Sequence, residues 1–185
     1  MGLGKLLIKI HIRLDCFLFL MRSKFLGFNN AMAMFRTIDK NSVIPILLKN
    51  GATIGKNCDI ESPLLFHNCN DFTKLTIGDN CHIGKNCFFD LKDTITIESN
   101  VVISMQCTIL THFDLGKSDL AVKFPIKQQP TTLRRNCYLG ANSTVLMGVT
   151  IEENTIVAAG SVVNKNTDPY TIVGGVPAKF IKTIG

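Results

Sequence analysis

The 185-residue chain has no tryptophan, two tyrosines and only 18% charged residues, and it lacks several features that would place it in a class at once. Its longest apolar run near the start, Cys16 to Met21, is too short to cross a bilayer, and Lys5, Lys9 and Arg13 interrupt what precedes it. No membrane-spanning helix is therefore expected. Leu6 stands where an N-myristoylation signal needs serine or threonine. Seven cysteines are present, but no two have the CxxC spacing of a zinc site, and nothing marks secretion. Free thiols and a cytoplasmic location are expected. Acidic residues are scarce in the first thirty-six positions, where Asp15 stands alone against Lys5, Lys9, Arg13, Arg22, Lys24 and Arg36. That segment carries +5 of the formal +6, so the remainder is nearly neutral and no nucleic-acid partner is expected.

What is present is a period. Six consecutive hexads share one register, starting at Leu133, Leu139, Val145, Ile151, Val157 and Val163, with Cys137, Ser143, Val149, Thr155, Ser161 and Thr167 four positions after each aliphatic residue. A six-residue repeat of this grammar reads as a parallel β-helix. Three short strands make one coil, each sends an aliphatic side chain into a narrow prism, and only a small residue fits beside each corner. Gly140 is expected to supply a positive φ at its corner. The grammar continues upstream in shifted frames: Ile54, Ile60, Phe66 and Phe72; then Ile77, Ile83, Phe89 and Ile95; then Ile97, Ile103 and Ile109. The slips between frames predict bulges or loops leaving the coil. Cys58, Cys81, Cys87, Cys107 and Cys137 fall at the small positions, where cysteine serves as a compact apolar filler. Cys16 and Cys69 have no evident role.

The chain divides at about residue 50. Within 1–50, Leu3, Leu6, Leu7, Ile10, Leu14, Phe17, Leu18, Met21 and Phe25 recur at helical spacing, which predicts an amphipathic helix ended by Gly27 and Asn29. A second short helix is expected over Ala31 to Ile38 with Asn30 as its cap, followed by Pro45 and an apolar turn. This segment reads as a cap over the open end of the β-helix. Its basic, apolar helix equally suits peripheral contact with an anionic membrane. Residues 51–185 form the β-helix, with an excursion at 110–132 that opens on Thr111, His112, Phe113 and Asp114 and a closing tail at 168–185. Ordered loops on rigid scaffolds tend to carry function.

With the hexads, a histidine at the root of the excursion, the motifs Tyr138-Leu139-Gly140-Ala141, Val149-Thr150-Ile151 and Ala158-Ala159-Gly160-Ser161-Val162-Val163, and the tail Gly174-Gly175-Val176-Pro177-Ala178-Lys179, the chain resembles the hexapeptide-repeat acyltransferases. Within them it looks most like the sugar and polysaccharide O-acetyltransferases related to galactoside and maltose acetyltransferases. Tyr138 stands where the family usually has tryptophan. The resemblance implies an all-β fold, a left-handed parallel β-helix with an N-terminal helical segment and a protruding loop. It also implies a homotrimer with active sites between adjacent subunits, acetyl-CoA as acyl donor, no metal, and a sugar or oligosaccharide acceptor, in surface polysaccharide biosynthesis.

His112 matches the family's catalytic histidine. Moving an acetyl group from a thioester to an alcohol requires a base for a weakly acidic hydroxyl, and a neutral imidazole suits that task. Asp90 matches a carboxylate of the polysaccharide branch that orients the base or binds the acceptor; Asn86, and less directly His82, are further acceptor-side candidates, and His11 and His67 read as structural. The family's cofactor contacts map onto Ala141 and Ala159 for the pantetheine arm and onto Asn164, Lys165, Lys179 and Lys182 for the phosphates. Ala141 and Ala159 are eighteen residues apart, one full coil, which stacks them on one edge. Alternatives within acyl transfer are an amino-sugar N-acetyltransferase or an antibiotic O-acetyltransferase. From other classes, a non-catalytic trimeric scaffold and a metal-dependent carbonic anhydrase-like protein remain, although His67, His82 and His112 are too dispersed in sequence for a three-imidazole centre.

Overall fold

The computed structural model describes residues 2–185. It is a left-handed parallel β-helix preceded by helices. The first face of the prism stacks Thr53–Ile54, Leu75–Ile77, Ile95–Ile97, Thr131–Leu133 and Thr150–Ile151. The second stacks Asp59–Ile60, His82–Ile83, Val102–Ile103, Tyr138–Leu139, Ile156–Val157 and Thr171–Gly175, with Ala178–Thr183 added antiparallel at its end. The third stacks Leu64–His67, Cys87–Asp90, Thr108–Ile109, Thr144–Val145 and Val162–Val163. Ile60, Ile83, Ile103, Leu139 and Val157 all lie in the buried core, one above another in register.

Asparagines supply most of the left-handed corner residues, and Gly140 is not among them. Asn57, Asn80, Asn100, Asn136 and Asn154 occupy the corner before the second face with φ between 56° and 62°, a conformation asparagine tolerates better than other residues with a Cβ. Their amides form a ladder between coils, with Asn57 Nδ2 donating to Asn80 Oδ1 at 3.2 Å and Asn80 Nδ2 to Asn100 Oδ1 at 3.2 Å. Gly140 is required for a different reason: a Cβ there would lie 2.4 Å from the backbone nitrogen of Ala159 in the next coil.

Beside these corners the cysteines stack as the hexads predict. Cys58, Cys81 and Cys137 follow the asparagine ladder, and Cys87, Cys107, Ser143 and Ser161 occupy the next corner. Several thiols reach a carbonyl of the following coil, as with Cys81 to Glu98 O at 3.1 Å and Cys87 to Ser104 O at 3.1 Å. Burial pushes the Cys137 thiol up to about 11, and the Cys69 thiol, packed on the sulfur of Met32, up to about 12. At neutral pH Cys69 and Cys137 therefore stay protonated and unreactive.

The helical segment comprises α1 (Leu3–Leu26), α2 (Phe28–Met32), a 3₁₀ turn (Ala33–Arg36) and α3 (Lys40–Lys49). Gly27, at φ 86°, ends α1 as expected. The second helix starts at Phe28 instead of after Asn30, and Pro45, expected before a final apolar turn, lies within α3. Burial of Val43, Ile46 and Leu47 against the coil, together with the Asp39 cap accepting from Asn41 N, offsets the cost of that proline. Phe19, Phe28 and Phe35 meet Phe66 and Phe72 at the open end of the prism, with Phe35–Phe66 and Phe66–Phe72 centroids both 4.9 Å apart. Asp15, the lone acid of this basic segment, accepts from Ser42 Oγ at 2.6 Å and ties α1 to α3. Only Cys16 and Phe19 of α1 are buried, while Leu3, Leu7, Ile10, Leu14 and Phe17 are more than half exposed. Among the described residues no helix is long and apolar enough to cross a membrane.

Candidate active site

Every slip in the hexad frames falls at one corner, the turn from the third face to the first. There the chain makes the loops 68–74 and 91–94 and then the excursion, a hairpin in which His112–Phe113 pairs antiparallel with Lys127–Gln128 before the chain rejoins the first face at Thr131. Gln129 N donates to Thr111 O at 3.0 Å and Thr131 Oγ1 to Leu110 O at 2.8 Å, closing the hairpin at its base.

Three successive coils bring four polar side chains to this corner. Asp90 ends the strand Cys87–Asp90, and its fully buried carboxylate lies between Asn68 from the coil below and Thr111 and His112 from the coil above. Asp90 Oδ1 accepts from Asn68 Nδ2 at 2.9 Å; Oδ2 accepts from Thr111 N at 2.9 Å and lies 2.5 Å from His112 Nδ1. Thr111 Oγ1 donates to the Asp90 carbonyl at 2.7 Å and accepts from Asp93 N at 2.9 Å, which locks the corner itself. Burial disfavours the Asp90 anion, yet the hydrogen bonds from His112, Thr111 and Asn68 outweigh it and hold the carboxyl below the usual carboxylate range.

An ionised Asp90 is an acceptor only, so Nδ1 of His112 must carry the proton it donates, and Nε2 is left with a lone pair. The Asn68 amide nitrogen is 3.5 Å from Nδ1 and 3.3 Å from Nε2. An in-plane position so nearly equidistant would collide with Cε1, so the amide lies over the ring face, a weak N–H···π contact. It therefore restrains the imidazole without consuming the Nε2 lone pair. The His67 ring lies on the same corner, its centroid 6.5 Å from that of His112.

The structure thus brings His112 and Asp90 together. It adds Asn68 and Thr111, which the sequence reading missed. The available signal was the frame slip after His67, which opens on an asparagine; Asn68 takes φ 58° there. Asn86 is an exposed corner residue with φ 60° at the opposite end of the Asp90 strand, roughly 13 Å away at the rise of an extended strand. His82 lies on the second face, where its Nδ1 is 3.1 Å from Asp59 Oδ2. Among the described residues no group of three His, Cys, Asp or Glu side chains could hold a metal ion.

A second corner, between the second and third faces, carries the small residues. Ala141 and Ala159 stack there, with Gly160 N donating to Ala141 O at 2.9 Å, and the next strand brings Gly174 and Gly175 alongside. Nothing lies within 4 Å of the position a Cβ would take on Gly160. Lys179 and Lys182 follow on the antiparallel tail strand, opposite Gly174 and Ile172. Asn164 and Lys165 are exposed and lie at the other corner, where the neighbouring Asn166 accepts from Thr150 N of the first face.

A cavity of about 440 Å³ opens between the helical segment and the coil beside the His112 corner. Asn68 and His67, the two residues against the His112 ring, form part of its wall.

The protein-family model described as the hexapeptide repeat of succinyl-transferase matches residues 74–110 and 130–165, leaving out the hairpin between them. Galactoside O-acetyltransferase of Escherichia coli K12 is 32% identical over 144 residues, 72% of this chain and 64% of that protein. A protein of the same organism provisionally assigned as the colanic acid biosynthesis acetyltransferase WcaF is 32% identical over 133 residues, 71% of this chain and 69% of its own. Among solved structures, a galactoside acetyltransferase in complex with coenzyme A superposes with a TM-score of 0.72 at 25% identity, over 89% of this chain and 80% of that one. A maltose O-acetyltransferase from Clostridium difficile 630 shares the fold, with a TM-score of 0.73 at 22% identity over 91% and 89% of the two chains. The repeat, the coil and the His112 corner define a hexapeptide-repeat protein. The chain belongs to the hexapeptide-repeat acetyltransferase family.

Proposed function

We propose that this protein is an acetyl-CoA-dependent O-acetyltransferase acting on a sugar hydroxyl in surface polysaccharide biosynthesis, with His112 as general base. The observation that carries this reading is the Asp90–His112 pair, in which a buried carboxylate orients a partly exposed imidazole and leaves Nε2 as the free base. Acetyl-CoA supplies the acetyl group, whose bond to sulfur breaks as its bond to the acceptor oxygen forms. His112 Nε2 takes the hydroxyl proton as that oxygen attacks and then delivers it to the departing sulfur, so the imidazole ends as it began. Asp90 holds the tautomer and stabilises the transient imidazolium. The shallow edge of Ala141 and Ala159 fits an extended pantetheine arm, with Lys179 and Lys182 toward its phosphates and Asn164 and Lys165 as further contacts. Release of free coenzyme A measured across neutral and charged sugars, nucleotide sugars and serine tests the reading. Amines acetylated in preference to hydroxyls would replace it with the N-acetyltransferase reading. No release with any acceptor would remove it.

The catalytic corner and the small-residue corner are separated by the width of the third face. One cofactor arm along the Ala141–Ala159 edge therefore reaches a His112 most directly when that histidine belongs to a neighbouring subunit, which supports a homotrimer. Native mass measurement should give three chains per particle; a fully active monomer would refute the shared site.

The lysines give a second expectation. Neutralising Lys165, Lys179 and Lys182 together should raise the apparent constant for acetyl-CoA by about tenfold or more and weaken its salt dependence, with acceptor affinity unchanged. An unaltered cofactor constant would remove them from the site.

The exposed stripe of α1 beside Lys5, Lys9 and Arg13 supports peripheral attachment of a cytoplasmic enzyme to an anionic membrane. Vesicle sedimentation should show binding that grows with anionic lipid and falls on charge reversal at Lys5, Lys9 and Arg13. Equal, negligible binding in all conditions would leave α1 as a cap alone.

A further inference from the structure

The cavity beside the catalytic corner has an uneven lining. Its polar residues are the amides Asn29, Asn68 and Asn70, together with Arg36, His67 and Lys92, and no aspartate or glutamate contributes to its wall. Arg36, from the 3₁₀ turn of the helical segment, and Lys92, from the loop after Asp90, are both exposed and have no ion pair among the described residues. The nearest carboxylates do not neutralise them. Asp90 is buried and committed to Asn68, Thr111 and His112. Asp71 shares the adjoining groove with Lys92 and Lys74, so its one negative charge stands against two lysines there and ion-pairs with neither; its Oδ1 accepts from Thr73 N and Oγ1 at 2.9 and 2.6 Å.

A site for a neutral sugar needs amides and carboxylates that accept from hydroxyls. Two unpartnered cations from separate elements, facing one cavity without a counter-charge, instead favour an anion and raise its local concentration. We infer that the acceptor is an anionic carbohydrate, one that carries a carboxylate or phosphate on or next to the acetylated sugar, held by Arg36 and Lys92 while the asparagines bind its hydroxyls. This rests on the acetyltransferase reading and narrows its substrate class.

The test compares galactose, galacturonic acid and galactose 1-phosphate as acceptors at saturating acetyl-CoA. At least one charged sugar should have a kcat/KM about tenfold or more above the neutral one. In Arg36→Gln and Lys92→Gln that advantage should shrink to within about threefold through a raised KM for the charged sugar; added salt should do the same to the unmodified protein. Lys56→Gln, an exposed lysine outside the cavity, serves as the control. The two charged arms separate a uronate from a phosphate ligand. Equal or better use of galactose overturns the inference, as does a variant effect on the acetyl-CoA constant in place of the acceptor's. If no sugar releases coenzyme A, the acetyltransferase reading fails separately, and calorimetry with the same three sugars still decides this one: charge-selective binding lost in the variants upholds it, and equal or absent binding overturns it.

Discussion

His112→Ala is expected to lower turnover by about a thousandfold or more while the constant for acetyl-CoA changes little. The side chain is partly buried, hydrogen-bonded to Asp90 and in contact with Asn68, so removing it takes away the proton acceptor without touching the Ala141–Ala159 edge. General-base catalysis is commonly worth about 10²- to 10⁴-fold, and deprotonation of an alcohol belongs at the upper end because neither Asp90 nor Thr111 is free to accept the proton. Asp90 is engaged on both oxygens, and Asn68 and Thr111 direct donors toward it. The loss should appear in kcat and kcat/KM together, the signature of a group that acts in the transition state. A variant with near-normal turnover would show that His112 is not the base.

Asp90→Asn should reduce turnover by about a hundredfold or more with the fold retained. The substituted amide sets a donor either at the Oδ2 position, against both Thr111 N and His112 Nδ1, or at the Oδ1 position, against Asn68 Nδ2. In the first orientation the imidazole answers by accepting at Nδ1, which places its proton on Nε2 and abolishes the base; in the second the neutral amide no longer stabilises the imidazolium. A loss of stability of about 1–3 kcal/mol should accompany it, since a buried donor is left without a partner. The pH dependence separates this from a purely structural effect. Because the folded state holds the Asp90 carboxyl low, its contribution is present above the carboxylate's ordinary range and is lost as pH falls through the depressed value. The difference in stability between the native protein and Asp90→Asn should therefore be constant from about pH 5 to pH 8 and close on acidification below about pH 4. A gap that instead closed between pH 6 and 7 would mean that the histidine, not the carboxylate, supplies the linked proton. Turnover of Asp90→Asn equal to that of the native protein would show that Asp90 does not set the tautomer.

Much of this was legible along the chain because a β-helix repeats locally. One aliphatic residue per six and one small residue per corner are demanded by a prism only a few side chains wide, so Leu133 to Val163 announce the coil and explain five cysteines without any disulfide or metal. The one-coil spacing of Ala141 and Ala159 likewise fixes their stacking, since eighteen residues return the chain to the same corner. His112 stood out because it opens the longest departure from the repeat. The reading erred where a local rule has two causes. Glycine at a corner can mean positive φ or close approach, and at Gly140 the neighbouring coil decides for the second, while asparagine takes the left-handed conformation. Pro45 within α3 was misread for a similar reason, because burial of Val43, Ile46 and Leu47 outweighs a local penalty.

The His112 corner depended on what the repeat does not encode. Asn68, Asp90 and His112 follow one another at intervals of 22 residues, which is no whole number of hexads, because the loops 68–74 and 91–94 interrupt the coil between them; only stacking three coils shows that those loops share one corner and that a buried carboxylate sits between an amide and an imidazole. The same holds for Arg36 and Lys92, which come from a helical segment and a loop far apart in sequence and meet across one cavity. Periodic spacing specifies the scaffold since every repeat faces the same steric demand. The chemistry lies where the period breaks, and there the three-dimensional path of the chain decides which side chains meet.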